Sequence, residues 1–224
     1  MIKGMDKTSN ARIKALLFDF NGVIVNDEPI HFEATRRVLA ELGIAISLEK
    51  YKAEFLGCND RECLQSLITN HNPSTLEEIV DRKSRYYFDL IDNNPPFVHG
   101  AIDFIKEASS RFKLAIVSGA LRREISHNLL AGNLSSYFPV IISADDVTSS
   151  KPDPEGFNLA MGRLDTKLVP SECVVIEDSK RGIQAAKCAG MRCLALTTTF
   201  DRNALIDADW TLDAFPSISD LPWN

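Results

Sequence analysis

The sequence has no cluster of basic residues of the kind that tracks a phosphate backbone. Its net charge of −6 comes from dispersed acids, so nucleic acid is not an expected partner. No apolar run approaches the roughly 20 residues needed to cross a bilayer. The polar opening from Met1 to Lys14 lacks the apolar segment of a secretory signal. Neither membrane insertion nor export is expected, and the expected location is the cytoplasm. Five cysteines (Cys58, Cys63, Cys173, Cys188, Cys193) form no Cys-x-x-Cys pair and no zinc spacing with the four histidines. An odd number of thiols inside apolar runs reads as reduced and buried, which fits the same compartment. Internal repeats and low-complexity tracts are also missing, and a monomer is favoured.

What remains is an ordinary globular composition, 45% apolar and 25% charged, over 224 residues. That length suits one large domain or a domain with a sizeable insertion. Short apolar runs at 13–18, 114–117, 140–143, 173–176 and 193–196 predict buried strands. Helical patterns at 101–110, 122–130, 154–164 and 179–189 lie between most of them. Strands alternating with helices imply right-handed crossovers and a parallel sheet covered on both faces. The expected fold is therefore α/β, a doubly wound, Rossmann-like parallel sheet. One stretch breaks the rhythm, with helical patterns at 32–42, 48–55, 61–69 and 76–92 and no convincing strand, ending at Asn93-Asn94-Pro95-Pro96. The expected organisation is a flexible tail at 1–11, a core domain from 12–27 and 96–224, and an inserted helical cap at 28–95.

In open parallel sheets, ligands sit at the carboxyl ends of the strands, where the strand order reverses. The first strand ends in Asp19-Phe20-Asn21-Gly22 and the second in Ser118-Gly119. Lys151 heads Lys-Pro-Asp-Pro before a helix, and the fourth strand ends in Glu177-Asp178-Ser179. Singly, each reads as a turn or helix cap. Together they would form a cup offering a nucleophile, hard oxygen ligands for Mg²⁺, and cationic and hydroxyl donors for phosphate oxygens.

These motifs, in this order, resemble the haloacid dehalogenase superfamily, closest in spacing to its β-phosphoglucomutase-like branch, whose small helical cap follows the first motif. The resemblance runs from about residue 13 to 215 and implies Mg²⁺-dependent phosphoryl transfer. Asp19 would attack phosphorus and become an aspartyl phosphate. Mg²⁺ would bind the Asp19 carboxylate, the Asn21 backbone carbonyl and Asp178, with Glu177 helping directly or through water. Ser118 and Lys151 would hold the transferring phosphoryl group beside the Gly119 N–H. Lys151 would also keep Asp19 ionised. In the cap, Gly57-Cys58-Asn59-Asp60-Arg61-Glu62 resembles the substrate-contacting loop, so Arg61 is expected either to clamp a second anionic group or to pair with Glu62 or solvent. The implied partner is a small phosphorylated metabolite such as a sugar phosphate. Hydrolysis is the leading activity and a phosphomutase the alternative.

One residue departs from the pattern. The family usually carries a second Asp where this chain has Asn21, and that Asp exchanges protons with the leaving and attacking oxygens. A carboxamide cannot do so near neutral pH. Three readings follow: an engineered substitution, a natural one with a substitute base (Asp27 or Glu28 being nearest), or a catalytically silent phosphate binder. A Schiff-base route like that of the phosphonoacetaldehyde hydrolases looks closed, because the position matching their lysine is Asp60. His31, at the hinge, reads as structural, and Arg122 and Arg123 as a solvated face or a source of local positive potential.

Overall fold

A computed structural model describes residues 11–68, 73–92 and 94–223. Residues 1–10 of the expected tail, Thr69 at the end of the third cap helix and Asn93 of the breaker lie outside the described residues. The five expected strands are present: β1 (Ala15–Phe18), β2 (Lys113–Val117), β3 (Val140–Ile142), β4 (Cys173–Glu177) and β5 (Arg192–Leu196). A sixth, β6 (Trp210–Leu212), extends the edge; three half-buried residues are too few to show a periodicity. All pairings are parallel, in the order β3-β2-β1-β4-β5-β6.

The central strands are buried on both sides, and their alternation divides the core. Leu16, Phe18, Leu114, Ile116, Val174 and Ile176 face one way, against Phe104 and Ile105 of α5 (Ala101–Ala108) and Ile125 and Leu129 of α6 (Arg122–Ala131), if helices are numbered along the whole chain. Leu17, Ala115, Val117, Val175 and Cys193 face the other way. They meet Phe157 and Ala160 of α7 (Glu155–Leu164) and Ile183 and Ala186 of α8 (Lys180–Cys188). Helices therefore cover both faces, as the apolar runs predicted. The order reverses at β1, which has β2 on one side and β4 on the other.

Four helices precede α5: α1 (Glu28–Glu41), α2 (Leu48–Glu54), α3 (Asp60–Leu67) and α4 (Pro73–Ile91). Their caps are local. Ser47 Oγ accepts from Lys50 N at 3.2 Å and Asn59 Oδ1 from Glu62 N at 2.8 Å. Val38, Leu39, Tyr51, Phe55, Leu64, Ile79 and Val80 form an apolar cluster of their own, joined by Leu121 from the start of α6. Helix α1 begins four residues before the predicted pattern because Pro29 occupies its first turn. Cys63, Cys173 and Cys193 are buried as expected, but Cys188 is exposed and Cys58 half-buried, at the margin of the helical cluster.

Candidate active site

The site is built at the strand ends on either side of the order reversal. Asp19 directly follows β1, and its backbone N donates to Ile176 O on β4 at 2.8 Å. Lys151 Nζ donates to Asp19 Oδ1 at 2.5 Å and to Glu177 Oε1 at 2.7 Å. One ammonium thus serves two carboxylates. Burial pushes the Asp19 carboxyl up to about 7; Lys151 opposes this and Glu177 reinforces it. Lys151 acts on Asp19 in the expected direction, but desolvation outweighs a cation shared with Glu177. Burial, then Glu177 and Asp19, likewise hold Asp178 well above the usual carboxylate range.

Two glycines make this density of carboxylates possible. Gly22 has φ +75, and a Cβ there would run into the Asp178 carboxylate and the Thr199 hydroxyl. A Cβ on Gly182 would occupy the place of the Glu177 carboxylate, which tucks under the start of α8. There Glu177 Oε2 accepts from Asp178 N, Ser179 N and Ser179 Oγ, each at 2.9 Å. With Lys151 on its other oxygen, Glu177 has its acceptors largely engaged. The nearest ligand oxygens of Asp19, Glu177 and Asp178 lie within 4.8 Å of one another.

The predicted phosphate-side groups line the same cavity: Ser118, Gly119 and Lys151 with Asp19, Asn21, Glu177 and Asp178. Ser118 Oγ accepts from Ala120 N at 3.0 Å and reaches Asn21 Oδ1 at 3.4 Å. Asn21 Nδ2 donates to Asp27 Oδ1 at 2.8 Å and lies 3.1 Å from His31 Nε2. Asp27 is fully buried, and Tyr87 donates to its other oxygen at 2.5 Å. Burial would raise the Asp27 pKa, but His31, Tyr87 and Asn21 together hold it below its ordinary value.

Behind His31 lies Lys83 of α4, wholly buried, 2.6 Å from His31 Nδ1, 2.7 Å from Asp60 Oδ2 and 3.8 Å from Glu124 Oε1. His31, Asp60 and Glu124 are spaced like a metal-binding group, but the Lys83 ammonium is already the cation among them. Lys83→Met would strand Asp60 and Glu124 without their counter-ion, and the expected loss is about 3 kcal/mol, read from the urea unfolding midpoint. An unchanged midpoint would remove Lys83 from the structural account.

Arg61 is not brought to the cavity. Its guanidinium pairs with Glu77 at 2.8 Å and Asp145 at 3.2 Å, neither of them the Glu62 partner considered from sequence. Arg122 and Arg123 are also engaged elsewhere, with Asp146 at 2.5 Å and Asp81 at 2.7 Å. Sequence reasoning missed Thr199, whose side chain hydrogen-bonds Asp178, and Thr198, whose hydroxyl donates to Gly22 O. The signal was there: three threonines follow the apolar run of β5, at another strand end. Asn59, part of the 57–62 loop singled out from sequence, packs over Gly119, bonds Ser150 and lines the cavity.

A family model described as haloacid dehalogenase-like hydrolase matches residues 16–196. The chain is 34% identical over 203 residues to a phosphorylated carbohydrates phosphatase of Thermotoga maritima, covering 88% of this chain and 91% of that one. A CbbY variant from Rhodobacter sphaeroides, solved with xylulose-(1,5)-bisphosphate, superposes with a TM-score of 0.81 at 26% identity, over 90% of this chain and 94% of that one. The β-phosphoglucomutase of Clostridium difficile shares the fold, with a TM-score of 0.80 at 24% identity over 90% and 91% of the two chains. Among the described residues, no helix is long and apolar enough to cross a membrane.

Proposed function

Because the chain belongs to the haloacid dehalogenase-like hydrolase family, we propose that it is a phosphatase that transfers the phosphoryl group of a sugar monophosphate to Asp19 and then to water. The observation that carries this reading is the Asp19 carboxylate at the β1 end, 2.5 Å from Lys151 Nζ and facing one cavity with Ser118 and Gly119. In that arrangement Asp19 is the nucleophile. Lys151 and Ser118 hold the phosphoryl oxygens, Gly119 lets the backbone approach them closely, and Glu177 keeps Lys151 in place. The relative from Thermotoga maritima, a phosphatase of phosphorylated carbohydrates, supports the substrate class.

The donor set suits Mg²⁺. Three buried carboxylates share a single ammonium, so the site carries excess negative charge before an anionic substrate arrives. Asp19, Asp178 and the Asn21 backbone carbonyl would hold the ion. Glu177, its oxygens engaged, would act through water. Bound there, the cation supplies charge neutralisation and favours the ionised form of Asp19.

The remaining walls favour hydrolysis of a monophosphate over a mutase cycle through a bisphosphate. The far side of the cavity is formed by Glu28, His31, Tyr51, Asn59 and Asp60, and no arginine lines it among the described residues. Carboxylate and amide acceptors suit hydroxyl groups, whereas a second phosphate would meet like charge without a bidentate partner. We take residues 28–95 as the cap carrying this wall, and a small phosphorylated metabolite as the partner.

The test is a panel of sugar monophosphates and bisphosphates with Mg²⁺, scored for released phosphate and for isomerised sugar phosphate. Phosphate release from monophosphates is expected, and isomerisation without release would overturn the reading. Arg61→Ala should change KM by less than about threefold, because an arginine clamping substrate would cost tenfold or more on losing its charge-assisted bonds. Tight phosphometabolite binding with no turnover would indicate a binder.

A further inference from the structure

The loop that carries residues 57–59 closes over the site. Asn59 packs on Gly119 and bonds Ser150, and Gly57 sits against Ser179 and Arg181. Within and just after it are two cysteines five residues apart, Cys58 and Cys63, both on the cavity wall. Their thiols are aimed at neighbouring carbonyls of one turn, Cys58 Sγ donating to Glu54 O at 3.5 Å and Cys63 Sγ to Phe55 O at 3.8 Å. Arg181 Nη1 lies 3.4 Å from Cys58 Sγ, while the same guanidinium donates to Lys151 O at 2.7 Å and Glu62 Oε2 at 3.1 Å. Arg181 therefore ties the Cys58 sulfur to the backbone of the residue that grips Asp19.

We propose that Cys58 and Cys63 form a peroxide-sensitive thiol pair that governs closure of the site. The half-buried Cys58 is the attacking sulfur, and the buried Cys63 is the resolving one. The guanidinium and the neighbouring thiol suit Cys58 to a thiolate, in keeping with its pKa, lowered to about 7 chiefly by the Cys63 thiol. Cys63 is pushed up by the Cys58 sulfur and by burial, so it stays a thiol and proton donor.

The chemistry balances with hydrogen peroxide as oxidant. The Cys58 thiolate attacks one peroxide oxygen, the O–O bond breaks, and hydroxide leaves, becoming water on protonation; Cys58 is now a sulfenic acid. The Cys63 sulfur then attacks Cys58 Sγ, an S–S bond forms, the S–O bond breaks, and the Cys63 proton leaves with the hydroxyl as a second water. Two thiols have lost two electrons, and one peroxide has become two waters. The disulfide removes the thiolate partner of Arg181, leaving it Glu62 and the Lys151 carbonyl, and draws Cys58 toward α3. The 57–59 loop is thereby pulled from its seat over Gly119 and Ser150.

The pair was not legible in the sequence, where a four-residue gap matches neither a redox nor a zinc spacing. The fold supplies the meaning, because the loop and the first turn of α3 aim both thiols at the adjacent carbonyls of Glu54 and Phe55.

The test uses the full chain carrying Cys188→Ser, which removes the exposed thiol. Peroxide treatment followed by intact-mass and peptide analysis should give a Cys58–Cys63 crosslink, seen as a loss of about 2 Da. Phosphatase activity should fall at least about fivefold and return with dithiothreitol, as expected of a reversible disulfide. In the further variant Cys63→Ser, a dimedone-reactive sulfenic acid should persist on Cys58; in Cys58→Ser neither species should form. Failure to find the 58–63 crosslink in the Cys188→Ser protein would overturn the thiol pair. A crosslink that leaves activity unchanged would overturn its control of closure. The mass readout does not depend on the substrate, so it separates failure of this inference from failure of the phosphatase reading.

Discussion

Replacing Asn21 with Asp is expected to raise turnover of a non-activated sugar monophosphate by about 10²-fold, the lower part of the range for general acid–base help. The amide nitrogen of Asn21 donates to Asp27 Oδ1 at 2.8 Å, and Ser118 Oγ reaches its oxygen at 3.4 Å. An aspartate here would place a second carboxyl against one that His31, Tyr87 and Asn21 now hold ionised. Two carboxylates at that distance cannot both ionise cheaply, so the new group would retain a proton and share it with Asp27. A protonated carboxyl beside the phosphoryl site is what an alkoxide leaving group requires. p-Nitrophenyl phosphate, whose leaving group needs no proton, should gain far less, and this contrast makes the measurement specific. Comparable rates for the two proteins on sugar phosphates would mean that another base already serves. Asp27, bonded to Asn21, and Glu28, on the cavity wall, would be the groups to substitute next.

Asp19→Asn should reduce phosphate release by at least about 10³-fold on every substrate, the scale on which enzymes lose rate when a nucleophile is removed. Folding should survive, because Lys151 keeps Glu177 at 2.7 Å and the backbone bond from residue 19 to Ile176 O does not involve the side chain. Substrate binding should persist for the same reason, so KM and rate separate. Acid-stable protein phosphate should also vanish from rapid-quench samples of the variant. Robust hydrolysis by Asp19→Asn would sink the aspartyl-phosphate route altogether.

Much of this was visible in the chain before its fold was known. Apolar runs of four to six residues marked all the central strands, because a strand buried on both faces needs no polar alternation. Asp19, Ser118, Lys151 and Asp178 could be grouped because each follows such a run or opens the next helix, and a parallel sheet gathers those positions at one edge. What stayed hidden depends on partners far along the chain. Arg61 resembled a substrate clamp until Glu77 and Asp145, the latter 84 residues away, took its guanidinium. Lys83 carried no signal within its own helical pattern, yet it is fully buried between His31, Asp60 and Glu124. The pull of Lys151 on Asp19 could be foreseen, but the desolvation opposing it could not, because it belongs to the whole site.

The bond from Asp19 N to Ile176 O, together with the Phe18–Ile176 register, welds the ends of β1 and β4 into one plate. Asp19, Glu177 and Asp178 are mounted on that plate, while the groups proposed to sort substrates hang from the helices of the 28–95 segment. A lineage can therefore change what it eats without relearning how to cut. In a saturation map of this protein, intolerance should concentrate in a narrow seam along the strand ends, with wide permissiveness on the opposing helical wall. New specificities would be sought there, by exchanging residues of the 28–95 segment while the seam is left as it stands.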